Sequence, residues 1–318
     1  MTTIQSAINQ FFHHCRYEKN LSPKTLKSYG IDLTQLTNFL IEKNHSLQVK
    51  QITKTELREY LERISTLKPK SVKRKVATIK AMFNYLEFED TIDINPMRKI
   101  RIKIQEAKRL PRVMDIREIG KIFKCAYSAH TETNTVNSHP FMETLRNIVV
   151  VELLFITGAR VSEISNLKME NIDLTTGSVS IKGKGNKERF IQICNHETLK
   201  ILKEYYKVFT NKINGSGGFF LINRLGGKLS DQSIRQIVKN LSGKANIQKN
   251  ITPHVFRHTF ATLLLEKDVD IKYIQTLLGH SSIMTTQIYT HVNRAKQKQI
   301  LRTKHPRKDF SMLVPLVI

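Results

Sequence analysis

The stretch T-P-H-V-F-R-H-T-F-A-T, residues 252–262, predicts an amphipathic helix with one buried and one polar face. Thr252 is suited to cap the helix N-terminus, and Pro253 fits its first turn. His254 and Arg257 lie three residues apart, so on a helix they project from one face. The opposite face repeats apolar residues at helical spacing: Phe256, Phe260, Leu263 and Leu264. A histidine and an arginine at this spacing suit phosphate chemistry better than a hydrophobic core.

A second polar stretch, L-L-G-H-S-S-I-M-T-T-Q-I-Y-T-H, covers residues 277–291. Gly279 ends an apolar run, and His280 follows it directly. Ser281 can cap a short helix that would deliver Tyr289. A tyrosine near two histidines is more often a packed aromatic than a catalytic group, so these residues alone leave both roles of Tyr289 open.

The composition is strongly basic. The chain has 318 residues, with 52 Lys and Arg against 27 Asp and Glu and a net charge of +25. This length predicts about two domains, and the charge predicts a polyanionic partner, most commonly nucleic acid. A basic surface without a specific partner is the alternative. No run approaches the roughly 18 apolar residues that span a membrane, and the N-terminus lacks the hydrophobic core of a secretory signal.

Motifs for small cofactors are missing from the sequence. It contains neither a Walker-type phosphate loop nor a His/Cys zinc pattern, so we expect no metal and no cofactor. Cys15, Cys125 and Cys194 are odd in number and widely spaced. This spacing favours reduced thiols in a cytoplasmic protein.

Residues 1–90 repeat apolar residues at the spacing of four helices. Ser22-Pro23 opens the second helix, and Thr53 with Glu56 predicts a capping box for the third. The fourth helix carries a face of basic residues with no acid among them: Lys70, Lys73, Arg74, Lys75 and Lys80. Crowded like charges repel, so this face predicts contact with DNA phosphates, and a merely solvated face is the alternative.

Asn95-Pro96 then breaks the helical pattern. Residues 98–112 hold seven basic residues and one acidic residue. This stretch predicts an interdomain linker that lies along a phosphate backbone, with Arg101 and Lys103 among its contacts.

Beyond the linker, residues 115–128 and 140–157 predict two helices, the second ending in the almost wholly apolar run V-V-V-E-L-L-F-I. The turn at Thr157-Gly158 places Arg160 directly after a buried helix end. An arginine held rigidly there could clamp a phosphate. A structural salt bridge with Glu163 is the alternative.

A β-hairpin is predicted from strands at 178–181 and 188–193, joined by K-G-K-G-N-K. Its tip carries three lysines: Lys182, Lys184 and Lys187. They could reach a DNA groove or a reaction centre, although an ordinary turn would simply expose them. Helices at 195–210 and 230–246 follow, with a short F-F-L-I strand between them.

Six polar residues form a set that could transfer a phosphodiester: Arg160, Lys184, His254, Arg257, His280 and Tyr289. Two arginines could bind the non-bridging oxygens and stabilise charge in the transition state. Tyr289 could attack phosphorus and form a covalent phosphotyrosine. His254 could accept the tyrosine proton and Lys184 could protonate the departing oxygen, each group typically contributing about 10²–10⁴-fold.

On these motifs the chain resembles the tyrosine recombinase (phage integrase) family, and it is most similar to the short Xer-like and transposon-borne members. The motifs are T-G-A-R-V-S-E-I around Arg160, G-K-G-N-K-E-R around Lys184, H-V-F-R-H-T-F-A-T around His254 and Arg257, L-L-G-H-S-S at His280, and T-Q-I-Y-T-H at Tyr289. The resemblance implies a mainly α (α+β) fold. A helical core-binding domain would precede a mostly helical catalytic domain with a small antiparallel sheet.

The resemblance also implies an activity. Tyr289 would cleave DNA, leaving a 3′-phosphotyrosyl link and a free 5′-hydroxyl, and strand exchange would pass through a Holliday junction. Arg160 and Arg257 would hold the scissile phosphate, and Glu163 would support Arg160. The other implied roles are Lys184 as general acid, His254 as acid/base and His280 as hydrogen-bond donor to the phosphate. The partner would be duplex DNA with an inverted-repeat core site, bound by a homotetramer or by a heterotetramer with a second recombinase.

The expected domains are a core-binding domain at 1–97, the linker at 98–112, a catalytic domain at 113–303 and a tail at 304–318. The enzyme would act at the bacterial nucleoid, to integrate and excise a mobile element or to resolve chromosome or plasmid dimers. Two alternatives are a non-catalytic DNA-binding protein on the same scaffold and a type IB topoisomerase-like activity. The role of the apolar tail is open.

Overall fold

The computed structural model describes residues 2–103, 112–133, 138–183 and 188–279. The chain divides into two compact units, residues 1–109 and 110–318. This division falls within the basic stretch 98–112, and the finer domain boundaries stay a prediction. The described part is mainly helical with one small antiparallel sheet, so the predicted fold class is confirmed.

The N-terminal unit is a bundle of helices around its own apolar core. Its α-helices are α1 (Ile4–Tyr17), α2 (Pro23–Glu42), α3 (Lys54–Ile64) and α4 (Pro69–Phe88), with a 3₁₀ turn at Val49–Gln51. The predicted starts of α2 and α3 are confirmed: the Ser22 side chain caps α2, and Glu56 accepts the Thr53 backbone N–H at 2.7 Å. These local bonds satisfy backbone donors that the helices leave unpaired at their first turns.

The C-terminal unit contains the sheet and the remaining described helices. Its elements are α5 (Ile116–Thr131), α6 (His139–Thr157), α7 (Val161–Ser165), β1 (Ile172–Asp173), β2 (Ser178–Lys182), β3 (Glu188–Gln192), α8 (His196–Gly215), α9 (Asp231–Lys244), α10 (Pro253–Glu266) and α11 (Ile271–Leu278). A 3₁₀ turn at Met169–Asn171 precedes the sheet, whose strand order is β1-β2-β3. In the predicted hairpin, Val179 pairs with Ile191 and Ile181 pairs with Arg189.

Helix α6 is the centre of this unit. It packs against α5, α8 and α10, and every residue from Ile148 to Leu154 is buried. The apolar run predicted this burial, since fully burying one Val or Leu side chain is worth roughly 1.5–3 kcal/mol. Gly158 ends the helix in the left-handed region at φ +55°. A Cβ there would come within 2.5 Å of a Phe260 ring carbon, so the turn requires glycine.

Two expectations about strands were incomplete or wrong. The sheet gains a third strand, β1, whose two residues are too few to give a repeat in the sequence. The F-F-L-I stretch is not an element of the sheet, because it makes only the isolated bridges Lys168–Phe219 and Ile222–Lys228. Its burial comes from packing in the core, and a turn held by the Asn223 side chain follows at once.

The three cysteines are free, with Cys15 buried and Cys194 exposed. Among the residues that the structure describes, no helix combines the length and the apolar character needed to cross a membrane.

Candidate active site

Arg160 lies where α6 turns into α7. Gly158 ends α6, and Arg160 is the N-cap residue of α7 with extended backbone. Glu163, one turn into α7, accepts the backbone N–H of Arg160 at 2.9 Å through Oε2 and its Nη1 at 2.7 Å through Oε1. The Arg160 side chain is 35% exposed, so the guanidinium is fixed by the carboxylate and still reaches solvent. Arg160 can therefore form the salt bridge with Glu163 and still be available to bind a phosphate.

Glu163 is a buried carboxylate held by two arginines. Burial favours its neutral form, but hydrogen bonds from Arg189 and from Arg160 outweigh burial and lower the pKa of Glu163 below its usual value. The ionised Glu163 therefore persists at neutral pH. An ionised partner makes the hydrogen bonds to Arg160 charge-assisted, and such bonds are stronger and shorter than neutral ones.

Arg189 on β3 was missed as a functional candidate. It donates from Nη2 to Glu163 at 2.7 Å and from Nε to the Leu277 carbonyl at 2.8 Å, and only 7% of it is exposed. A signal was available in the strand alternation. Arg189 shares the buried face of β3 with Ile191, whereas the intervening Phe190 is 69% exposed. An arginine on the apolar face of a strand indicates a buried ionic partner.

Arg257 on α10 is brought to the same turn from far along the chain. Its Nη1 donates at 2.8 Å to the carbonyl of Gly158, a residue 99 positions earlier. Its Nη2 donates at 2.6 Å to the carbonyl of Leu278 at the end of α11. The Arg257 side chain is buried, whereas His254 is exposed. Both residues lie on α10 at the predicted spacing, and Arg257 is buried because its guanidinium donates to the carboxyl ends of two helices.

The predicted start of α10 is confirmed, with Pro253 in its first turn and the Thr252 side chain accepting from the Val255 backbone N–H. Of the predicted apolar face, Phe256 is fully buried, while Phe260, Leu263 and Leu264 are half-buried.

His258 also lies on α10, beside the predicted residues. Burial lowers the pKa of His258, and the nearby charges of His254 and Arg257 lower it further. His258 is therefore neutral near pH 7. Sequence reasoning passed over it, although it is the second histidine of the motif H-V-F-R-H.

Four predicted site residues lie outside the described residues: Lys184, Lys187, His280 and Tyr289. Lys182, at the end of β2, is described and half exposed, with Nζ 3.6 Å from Glu188. The structure therefore brings together Arg160, Glu163, Arg189 and Arg257, and places His254 on the same helix as Arg257.

The basic face of α4 is smaller than predicted. Lys70, Lys73, Arg74 and Lys80 are exposed, as are Arg101 and Lys103 beyond the unit's last helix. Lys75 is buried instead and binds Asp32 of α2 at 3.0 Å, and Arg74 also donates to Asp32. The spacing contained the signal, since Lys75 falls between Val72 and Ile79 on the apolar side of the helix. Among the described residues, no cluster of His, Cys, Asp and Glu could hold a metal ion.

Comparison with known proteins decides the family. The model of the phage integrase family matches residues 129–296, and that of the phage integrase N-terminal SAM-like domain matches residues 8–90. This chain belongs to the phage integrase family. It is 44% identical to a tyrosine recombinase of Agathobacter rectalis over 98% of this chain and 99% of the relative. It is 34% identical to the tyrosine recombinase XerD of Halalkalibacterium halodurans, over 96% of this chain and all of the relative.

A solved structure supports the fold independently. The XerH site-specific recombinase, in a post-cleavage complex with a palindromic difH substrate, is 21% identical to this chain. The match covers 93% of this chain and 84% of XerH with a TM-score of 0.73. The resemblance stated from the motifs is therefore confirmed at the level of family and fold.

Proposed function

We propose that this chain is a site-specific DNA recombinase that cleaves and rejoins duplex DNA through a phosphotyrosine at Tyr289. Arg160 and Arg257 would hold the scissile phosphate, His254 would act as acid/base, and Lys184 would protonate the leaving 5′-oxygen. His280 would donate a hydrogen bond to the phosphate. Membership of the family and the tyrosine recombinase relatives support this reaction.

The observation that carries the proposal is the convergence of two arginines on one turn. Arg257 donates to the Gly158 carbonyl at 2.8 Å, and Arg160 follows two residues later. Glu163 holds Arg160 at 2.7 Å before any substrate is bound. Guanidinium groups that are already oriented stabilise the charge of a pentacovalent phosphate without further reorganisation, which is the largest contribution in many enzymes.

The exposed basic residues of the N-terminal unit would bind the DNA backbone. We assign this role to Lys70, Lys73, Arg74 and Lys80, to Arg101 and Lys103 in the linker, and to Lys182 and Lys187 of the hairpin. Arg74 is suited to it because its donation to buried Asp32 orients the guanidinium while 43% of the side chain stays exposed. Such binding should weaken steeply with salt, with a slope of about −0.9 per phosphate neutralised.

The assembly would be a tetramer on two inverted-repeat core sites, formed by this chain alone or with a second recombinase. The palindromic substrate of XerH supports the symmetry of the site. We propose the core-binding domain at 1–97, the linker at 98–112, the catalytic domain at 113–303 and the tail at 304–318. A cytoplasmic, nucleoid-associated location follows from a chromosomal or mobile-element DNA substrate.

The test is the variant Tyr289→Phe with a pool of nicked synthetic duplexes that carry randomised inverted repeats. The nick lets the released strand diffuse away, so a covalent intermediate accumulates. Wild-type protein should form a covalent adduct that mass spectrometry places at Tyr289. The variant should bind the same duplexes with unchanged affinity and form no adduct, because it lacks the nucleophilic oxygen.

Three results would contradict the proposal. Adducts formed by Tyr289→Phe would overturn the nucleophile. A wild-type protein that binds but never forms an adduct would favour a non-catalytic DNA-binding protein. Relaxation of supercoiled DNA without any recovered site, and without recombinants from paired sites, would favour a type IB topoisomerase-like activity.

A further inference from the structure

The geometry points to Arg189 as a positioning residue that locks Arg160 and the carboxyl end of α11 into one arrangement. This inference rests on the proposed function, because it assigns a role in orienting the groups that would hold the scissile phosphate. Arg189 itself would touch neither DNA nor the reacting atoms.

Arg189 makes two contacts with elements that are distant in the sequence. Nη2 donates at 2.7 Å to Glu163, 26 residues earlier, and Nε donates at 2.8 Å to the Leu277 carbonyl, 88 residues later. The guanidinium is planar and rigid, so the positions of these two donors are fixed relative to each other. Helices α7 and α11 are thereby held at one spacing through a single side chain of β3.

The contact with Glu163 acts on Arg160. The carboxylate divides its oxygens, with Oε1 accepting from the Arg160 side chain and Oε2 accepting from Arg189. Oε2 also accepts the backbone N–H of Arg160. Without Arg189, the carboxylate could rotate about its last torsion and the Arg160 guanidinium would lose its fixed direction.

The contact with Leu277 acts on the end of α11. Arg189 donates to the carbonyl of Leu277, and Arg257 donates to the carbonyl of Leu278. Two cations therefore lie at the negative end of the α11 dipole. Gly279 follows in the left-handed region at φ +64°, and a Cβ there would lie 3.1 Å from Nη1 of Arg189. The chain therefore leaves α11 directly against Arg189, one residue before the predicted site residue His280.

The competing explanation is that Arg189 serves only to neutralise a buried acid. A lysine would serve that purpose nearly as well, whereas its single ammonium cannot occupy both donor positions of a guanidinium. Methionine would fill the space without charge. These two substitutions therefore separate neutralisation from positioning.

The experiment measures the adduct-forming rate at saturating DNA, with a nicked duplex recovered from the randomised pool. Arg189→Met should bind this duplex with wild-type affinity and cleave it about 100-fold more slowly, as expected for a displacement of about 1 Å in a catalytic group. Arg189→Lys should keep the wild-type melting temperature and cleave about 10-fold more slowly, since one of two contacts remains. Arg235→Met is the matched control, because it removes a half-buried arginine of α9, with 40% of its side chain exposed, that lies 3.7 Å from Asp231.

The pH profile supplies a readout that a purely structural role would not move. Among the described residues, the charged groups facing Glu163 are Arg160 and Arg189. Arg189 is the first of the groups that lower the pKa of Glu163, so in Arg189→Met the loss of cleavage in acid should begin at a higher pH than in the wild type. The double variant Glu163→Gln/Arg189→Met has no carboxyl group at this position, so it should be slow throughout and lack this acid-dependent loss.

The outcomes separate this inference from the proposed function. A wild-type protein without adducts refutes the proposed function, whatever Arg189 does. If the wild type forms adducts, cleavage by Arg189→Lys at the rate of Arg235→Met overturns the positioning role. The positioning role is equally overturned if Arg189→Met loses DNA affinity in proportion to its rate, or if it shows the wild-type pH profile.

Discussion

Glu152 and Glu163 are two buried glutamates of the same unit, and their surroundings give them opposite ionisation behaviour. Glu163 binds the guanidinium groups of Arg160 and Arg189, each at 2.7 Å. Among the described residues, Glu152, inside α6, accepts hydrogen bonds from two hydroxyl groups, those of Tyr127 at 2.7 Å and of Thr198 at 2.8 Å. Burial raises the pKa of Glu152 despite these bonds, whereas cationic partners lower the pKa of Glu163.

The two glutamates have different roles, since Glu152 joins helices and Glu163 orients arginines. Hydroxyl partners join α5 and α8 to α6 without any charge that must be matched. Guanidinium partners require an ionised acid, and their charge-assisted hydrogen bonds to it hold them in fixed directions. An acid that only joins helices tolerates its neutral form, but one that orients arginines for a phosphate has to stay charged.

The largest expected effect is that of Glu163→Gln. Arg189 is only 7% exposed and would lose its counter-charge, so the free energy of unfolding should fall by about 3–5 kcal/mol at pH 7. Because the folded pKa lies below the usual 4.5, the stabilisation is present above that value and is lost as the pH falls through the lowered pKa.

Urea unfolding of the full chain, with hydrogen exchange read over residues 161–165 and 188–192, measures this loss. The deficit of the variant should shrink in acid. A deficit below about 1 kcal/mol at pH 7 would mean that Glu163 does not hold Arg189 as an ion pair.

The next largest effect is that of Gly158→Ala, which lies between the two glutamates in the sequence. The left-handed backbone and the approach of 2.5 Å to Phe260 and 3.0 Å to Leu278 should destabilise the unit by about 1–3 kcal/mol. Calorimetry checks the loss, and the adduct assay should slow because the Arg160 turn moves.

Gly120→Ala is the control for this variant. Gly120 lies inside α5, and a Cβ there would meet nothing within 4 Å, so the change should be neutral or stabilise by about 0.5–1 kcal/mol. Equal melting temperatures for the two alanine variants would refute the requirement for glycine at Gly158.

The smallest effect is that of Glu152→Gln, and its sign depends on pH. Because the folded pKa is raised, the folded state binds more protons than the unfolded state above pH 4.5, and stability falls as the pH rises through this window. Glu152→Gln cannot titrate and so does not lose stability in this way. The difference in free energy of unfolding between the variant and the wild type should therefore shift by about 1 kcal/mol in favour of the variant from about pH 5 to about pH 8. Urea unfolding at several pH values measures the slope, with the exposed Glu170→Gln as control. If the difference instead shifted in favour of the wild type as the pH rises, the pKa of Glu152 would be lowered in the folded state, which would indicate a cation near it.

The N-terminal unit repeats the arrangement of Glu163 with fewer connections. Asp32 is fully buried, binds buried Lys75 at 3.0 Å and also receives Arg74, which is 43% exposed. Lys75 also donates to Gln35, which lies on the same helix as Asp32, so the hydrogen bonds of this network among the described residues join α2 to α4. The Glu163 network instead joins α7, β3 and α11, and this is why we assign positioning in catalysis to Arg189 and not to Lys75.

Much of the site could be recognised from local sequence. Thr252 and Pro253 begin α10, Gly158 ends α6 and Gly279 ends α11, because caps and left-handed turns depend on a few adjacent residues. The roles predicted for Lys184, His280 and Tyr289 stay predictions, since these residues lie outside the described part of the chain. The burial of Arg257 and of Lys75 was not foreseen, because a charged residue in an amphipathic pattern is assigned to solvent unless its partner is known.

By itself, the sequence determined a basic two-part chain, the helices that build it and the motifs of the phage integrase family. These properties follow from composition, periodicity and short spacings along the chain. Only the tertiary structure decided that Arg189 shares Glu163 with Arg160, and that Arg257 reaches back to Gly158. Arg189 is 26 residues from Glu163 and Arg257 is 99 residues from Gly158, and a hydrogen bond over such a separation exists only once folding has closed the intervening chain.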